Sequence, residues 1–257
     1  MAPATLRARL AGDRPIYSGW SALPDSLVVE QLASTAFDAV TLDMQHGGHH
    51  EDSVVRGLGP IVAAGKHALV RIPVGRFDMA SRALDFGADA VIAPMINSVG
   101  DARAFAHACK YPPVGGRSWG PSFAMPRRGA DDSRAWLASA NDAVMALAMI
   151  ETREALAALD GILAVDGIDG VLVGPADFSI AWTRGETVDP THEEMMEAIA
   201  DIAARTRAAG KAAAIYVADP RLAKRFVAMG FRLIALGSEA RLMQIGADAL
   251  IAAARGS

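Results

Sequence analysis

Two carboxylates, Glu151 and Asp177, stand at the downstream ends of strongly apolar, strand-like runs. The first follows residues 144–150 (VMALAMI) and the second closes Val171-Leu172-Val173-Gly174-Pro175-Ala176. An acid that ends a buried strand rarely serves solubility, because an ionised carboxylate away from water must be compensated. Two such acids on successive strands can hold one hard cation between them. Their oxygen-only donor set suits Mg2+ or Mn2+, with Co2+ as a further candidate. Two protein ligands leave coordination positions for water and substrate. The competing reading is that each acid caps the helix after it, since Thr152-Arg153-Glu154 follows one and Phe178-Ser179 the other.

Other polar residues fall at matching places. Arg71 ends Ala68-Leu69-Val70-Arg71. A guanidinium there can grip a carboxylate or oxyanion bidentately, or form a structural ion pair with Asp43. His46, in Leu42-Asp43-Met44-Gln45-His46-Gly47-Gly48-His49-His50, is placed to act as a general base near neutral pH. A zinc site of His46, His49 and His50 is the alternative, but that spacing on a Gly-rich turn is non-specific. His49 and His50 are expected to begin the next helix, with Glu51 and Asp52 at its positive end. The four lysines are Lys66, Lys110, Lys211 and Lys224, and none closes a strand. Schiff-base chemistry therefore lacks its nucleophile, and carbonyl chemistry would need a metal as electron sink.

The elements that must position these residues alternate from end to end. Strands are expected near 16–20, 38–42, 67–72, 89–93, 143–150, 169–174, 211–217 and 232–236, each followed by helical periodicity and ending with a helix near 239–254. Several strands are apolar throughout, as parallel strands covered on both faces are. Eight such units in 257 residues imply an α/β fold, a single (β/α)8 barrel domain over 1–257. An open doubly wound sheet is the runner-up, but no Gly-x-Gly-x-x-Gly turn follows the first strand. On a barrel, Trp20, Asp43, Arg71, Glu151 and Asp177 all reach the C-terminal mouth, where barrel enzymes keep their chemistry. The connection over 111–141 is unusually long and could fold over a site or contact a neighbour.

Composition excludes several classes. The formal net charge of −4 gives no electrostatic argument for nucleic acid or an anionic membrane surface. No apolar run approaches the roughly 20 residues that cross a bilayer. Cys109 is the only cysteine, so neither an intrachain disulfide nor a Cys-based zinc cluster can form. The first residues carry no long apolar stretch of the signal-peptide kind, and a cytoplasmic protein is expected.

Five segments resemble one family. They are residues 37–47 (FDAVTLDMQHG), Val70-Arg71-Ile72-Pro73, Leu84-Asp85-Phe86-Gly87-Ala88, residues 149–155 (MIETREA) and residues 170–179 (GVLVGPADFS). Together they resemble the 4-hydroxy-2-oxoheptanedioate aldolases, metal-dependent class II pyruvate aldolases related to the citrate lyase β-subunit. The resemblance spans nearly the whole chain and is most specific at strands five and six. It implies a barrel that exchanges its last helix with a neighbour within a homo-hexamer, a dimer of trimers. It assigns the metal to Glu151 and Asp177, the base to His46 and transition-state stabilisation to Arg71. Asp85 matches an acid that raises the basicity of the histidine. The backbone at Ala176 and Asp177, after Gly174 and Pro175, matches the place where the substrate carboxylate docks on helix-start amides, a sound anion site. The chain departs from the family in carrying Met149 where Gln is usual and Gln45 where Glu is usual.

The reaction so implied is reversible aldol addition of pyruvate or a related 2-oxo acid, such as hydroxypyruvate, to an aldehyde. Trp20 would wall the aldehyde pocket or plug the barrel, and Arg117 would assist an acidic acceptor. Asp85 lies at the far end of the helix after strand three, so we expect it to reach the His46 of an adjacent subunit; otherwise Asp43 orients that histidine. Three alternatives stay open at this point. They are a coenzyme A thioester lyase of the citrate or malyl-CoA type, a phosphate-binding isomerase using Gly237-Ser238, and a non-catalytic binding barrel.

Overall fold

In a computed structural model of the chain, residues 4–256 are described. Eight strands form: β1 (Ile16–Ser21), β2 (Ala39–Asp43), β3 (His67–Arg71), β4 (Ala90–Ala93), β5 (Met145–Ile150), β6 (Gly170–Val173), β7 (Ala212–Val217) and β8 (Leu233–Ser238). They run parallel in sequence order, and β8 pairs with β1 to close the barrel. The expected eight strands are therefore all present, and the open-sheet reading falls.

The strands read as unbroken apolar runs because both of their faces are covered. On β5, Met145, Leu147 and Met149 point into the barrel, while Ala146, Ala148 and Ile150 pack outward against the helices. The period-two pleat sends alternate residues to two separate cores. The short helix Leu6–Leu10 adds Leu6 and Leu10 to the inner core, at the N-terminal end of the strands.

Register brings the functional ends together. Asp43 on β2 is the direct partner of Arg71 on β3, and Ile150 on β5 is the partner of Val173 on β6. The residues that follow, Glu151 and Gly174, therefore lie side by side.

The long connection after the helix Val99–Cys109 is not an open loop. It holds two helices, Ala124–Arg127 and Ser133–Ala143. Arg127 donates to the carbonyls of Val55 and Phe86, and Arg128 donates to Gly87 O and to Asp89 just before β4. The segment thus packs along the flank and the N-terminal end of its own barrel, and the expectation that it folds over the site is not met within one chain.

The terminal helix Glu239–Arg255 begins as expected but covers little of its own barrel. Leu242, Met243, Ile245, Leu250 and Ile251 on it are exposed, and Glu239 is its one buried residue. Among the described residues no helix is long and apolar enough to cross a membrane.

Candidate active site

Asp43 is the hub of the barrel mouth. Its carboxylate accepts two hydrogen bonds from Arg71, Nε to Oδ1 at 2.8 Å and Nη2 to Oδ2 at 2.6 Å. Trp20 Nε1 donates to Oδ2 at 3.1 Å, and the backbone amides of Gln45 and His46 donate to Oδ1 at 3.0 and 3.3 Å. Burial alone would raise the Asp43 pKa, but Arg71, Trp20 and the Gln45 amide hold it below the ordinary value. The anticipated Arg71–Asp43 ion pair is therefore present. It also aims the guanidinium, leaving Nη1 without a protein partner among the described residues.

Trp20 lies beneath this pair rather than beside an open pocket. It is buried, with the Arg71 guanidinium carbon 4.9 Å from its ring centroid and the edge of Tyr216 against it at 5.2 Å. Its place is that of a platform, nearer the plug reading than the pocket-wall reading.

Glu151 stands across the mouth, 1% exposed. Its Oε1 accepts the Met95 amide at 2.8 Å, while Oε2 is buried with no hydrogen-bond partner. Burial, followed by the nearby Asp177 charge, pushes the pKa of Glu151 up to about 7, against the pull of Met95 N–H and Arg71. Met95 holds a left-handed φ of 54°, a conformation costly for a side-chain-bearing residue and typical of functional sites. That backbone donor could not be read from sequence, because any residue type supplies an amide.

The capping alternative is settled for both acids. The helix Arg153–Ala157 is capped by Thr152, whose hydroxyl accepts from Ala155 N at 3.0 Å. The helix Pro175–Trp182 begins after Gly174, with Pro175 buried, Ala176 exposed and Asp177 half-buried in its first turn. Asp177 makes no capping bond there. A Cβ on Gly174 would collide with Glu151 Oε2 and come within 3.0 Å of the methyl of Met149, so only glycine leaves the carboxylate its room.

These residues fit a divalent cation on an observation of their own. A buried carboxylate oxygen with no donor, beside a second acid, lacks the positive charge that would stabilise it. No group of three or more His, Cys, Asp or Glu side chains is arranged for a metal among the described residues.

The zinc alternative fails on geometry. His49 is buried, with Nε2 2.9 Å from Ser21 Oγ and Nδ1 3.1 Å from Ser53 Oγ. His46 and His50 are exposed, and His50 is the N-cap of the helix Glu51–Ala63, whose first turn holds Glu51 and Asp52 as anticipated. Burial keeps the His49 pKa below its ordinary value despite Glu239 and Asp43.

Glu239 was missed. It accepts Ser21 Oγ at 2.5 Å and Ala22 N at 2.9 Å, buried at the start of the terminal helix. The signal that marked Glu151, an acid closing an apolar strand, was present here too. A buried carboxylate beside Gly237-Ser238 disfavours a phosphate at that helix start, which argues against the isomerase reading.

Arg117 and Asp85 are joined to each other and not to their own barrel's mouth. Arg117 is 5% exposed and its Nη2 donates to Asp85 Oδ1 at 2.5 Å. Asp85 is near the end of the helix Phe77–Phe86, which runs back toward the N-terminal ends of the strands. Within one chain Arg117 therefore does not reach an acidic acceptor at the mouth, contrary to the role expected of it. Three lysines are also turned away from the mouth: Lys66 bonds Thr35 O and Phe37 O, Lys110 bonds Val144 O and Asp169, and Lys211 bonds Ile168 O. Lys224 is exposed on the helix Ala223–Met229.

Fold and rim together define a (β/α)8 barrel with polar residues gathered at its C-terminal mouth, the usual place of chemistry in barrel enzymes. Residues 18–244 match the HpcH/HpaI aldolase/citrate lyase family, and the chain belongs to it. It is a carbon–carbon lyase, in line with the sequence motifs.

Among curated relatives it is 39% identical over 242 residues to a hydroxypyruvate/pyruvate aldolase of Rhizorhabdus wittichii, covering 94% of this chain and 95% of that one. It is 37% identical over 243 residues to a 4-hydroxy-2-oxo-heptane-1,7-dioate aldolase of Salmonella dublin, covering 95% and 91%. A solved HpcH/HpaI aldolase/citrate lyase family protein from Burkholderia cenocepacia superposes with a TM-score of 0.86 at 27% identity, covering 97% and 98%.

Proposed function

We propose that this protein is a divalent-metal-dependent aldolase that joins pyruvate, or a related 2-oxo acid such as hydroxypyruvate, to an aldehyde, and cleaves the resulting 4-hydroxy-2-oxo acid. The observation that carries the reading is Glu151 Oε2, buried without a donor beside Asp177. These two acids would hold Mg2+ or Mn2+, with Co2+ a further candidate. When bound, such an ion supplies Lewis-acid polarisation of the 2-oxo group.

The other residues divide the remaining work. Arg71, steadied by Asp43 and Trp20, offers Nη1 to the oxygen that gains charge as the substrate enolises. His46, tethered through its own amide to Asp43, removes and returns the proton at the carbon next to the keto group. The helix-start amides of Ala176 and Asp177 receive the substrate carboxylate. Met149, which is buried, and Gln45, whose Oε1 is buried without a partner, shape the site at the two positions where the family resemblance implies Gln and Glu. The exposed apolar stripe of the terminal helix supports exchange of that helix within a hexamer, where Asp85 of one subunit would reach His46 of the next. We place the protein in the cytoplasm.

The test is deuterium uptake by the methyl group of pyruvate, and aldol formation with an added aldehyde, in Mn2+ or Mg2+ with and without EDTA. Exchange that needs metal, and that falls about 100- to 10,000-fold in His46→Ala, supports the reading. Chelator-insensitive turnover, or turnover with coenzyme A thioesters in place of free oxo acids, would overturn it.

A further inference from the structure

A cavity of about 500 Å3 opens at the end of the barrel opposite the mouth. It lies under the starts of β3 and β4 and is roofed by the helix Ser133–Ala143, with Trp136 and Ala140 on its wall. That volume is in the range of small-ligand pockets. Four side chains with permanent positive charge line it: Lys66, Arg117, Arg127 and Arg128.

Among the described residues two carboxylates answer these cations. Asp89, on the wall, accepts Arg128 Nη2 at 2.6 Å and has His67 Nδ1 3.6 Å away. Asp85 binds Arg117. Lys66 is spent on the carbonyls of Thr35 and Phe37.

One donor is left without a partner and one cation without a counter-charge. Arg117 is more than nine-tenths buried, yet its Nε–H bonds to nothing. Arg127 donates to the carbonyls of Val55 and Phe86 and lies over the Phe123 ring at 5.5 Å, but forms no ion pair among the described residues. Burial depresses its pKa, the mark of a cation poorly compensated where it sits. A partly desolvated guanidinium such as the half-buried Arg127 is less costly when an anion faces it, and no carboxylate among the described residues does.

We propose that this cavity is a ligand site, separate from the mouth of its own barrel, that takes a small organic dianion bearing carboxylate or phosphate groups. The two surplus positive charges set the preferred ligand charge. The flat forks of Arg117 and Arg127 suit carboxylate and phosphate oxygens alike. Trp136 and the alanines beside it leave room for a short apolar body between the charged ends.

The experiment titrates the full, metal-loaded chain by calorimetry with succinate and, separately, with inorganic phosphate; the tighter probe identifies the preferred anionic group. Saturable binding of one probe per chain is expected. It should weaken roughly ten- to hundred-fold in Arg127→Gln, as loss of a charged hydrogen bond predicts. Ala140→Leu, which narrows the cavity without touching a charge, should weaken it as well. Glu151→Gln, at the other end of the barrel, should leave it unchanged. Probe binding should also alter tryptophan fluorescence, and Trp136→Phe should remove that signal while binding persists. The proposal is overturned if neither probe saturates, if folded Arg127→Gln and Ala140→Leu bind like the parent, or if Glu151→Gln abolishes binding.

Discussion

Arg71 and Asp43 occupy directly paired register positions on β3 and β2 and are joined by two hydrogen bonds of 2.8 and 2.6 Å. The fork geometry both neutralises a buried guanidinium and fixes where its free edge points. Stability and aim therefore depend on the same contact. Asp43→Ala should destabilise the chain by about 3–5 kcal/mol, the usual cost of stranding one partner of a buried pair. Asp43→Asn, which keeps an acceptor for Trp20 Nε1, should fold better yet lose turnover. Urea melts and steady-state kinetics of the two variants check this, and normal turnover in Asp43→Asn would contradict it.

Glu151 makes the stability of the metal-free chain depend on pH. Its folded pKa of about 7 lies above the ordinary 4.5, so the folded chain holds a proton that the unfolded chain has already released. Its contribution is full below pH 4.5 and is lost as pH rises toward 7, by up to about 3 kcal/mol. Asp43 acts in the opposite sense at lower pH, so the difference between the parent and Glu151→Gln isolates the Glu151 part. That difference should favour the parent less as pH climbs from 5 to 7 and then level off. Added Mn2+ should raise the Tm of the parent more at pH 8 than at pH 6, and should not raise that of Glu151→Gln.

Gly174 is the floor against which Glu151 Oε2 rests. Gly174→Ala puts a methyl group into that oxygen and close to Met149. The overpacking should cost about 1–3 kcal/mol, and it should displace a carboxylate the cation needs. Weaker Mn2+ binding by electron paramagnetic resonance, with β-barrel circular dichroism retained, is the expected result. Parent-like affinity would show that Glu151 binds through another position.

Glu239 ties the first turn of the terminal helix to β1 through Ser21 Oγ and Ala22 N. Glu239→Ala should leave those two donors unsatisfied, at about 1–3 kcal/mol. It should also loosen the angle at which the helix leaves the barrel. Sedimentation velocity should then show a broadened assembly distribution, and a chain ending at Ser238 should lose its assembly altogether. A monodisperse chain of unchanged size in both cases would contradict this.

Much of this protein is written locally in its residues. The eight strands were legible because runs such as residues 145–150 are apolar on both faces, which only a covered parallel strand requires. The rim residues followed, since a closed parallel barrel sends every strand's C-terminal end to one mouth. The motifs around Glu151 and Asp177 carried the family.

Contacts between residues distant in sequence were decided elsewhere. Nothing near Met95 announces that its amide holds Glu151, because a backbone donor is common to all residue types and its use depends on the path of the chain. Arg117 looked like a loop residue free to meet substrate, and folding buried it against Asp85 instead. His49, one of three histidines within residues 46–50, was taken out of any metal role by two serines and the reach of Glu239. Hydrophobic period is a property of neighbours along the chain and survives in one dimension. The pairing of buried polar atoms is a property of neighbours in space, set only when the barrel closes and each must find a partner or go without.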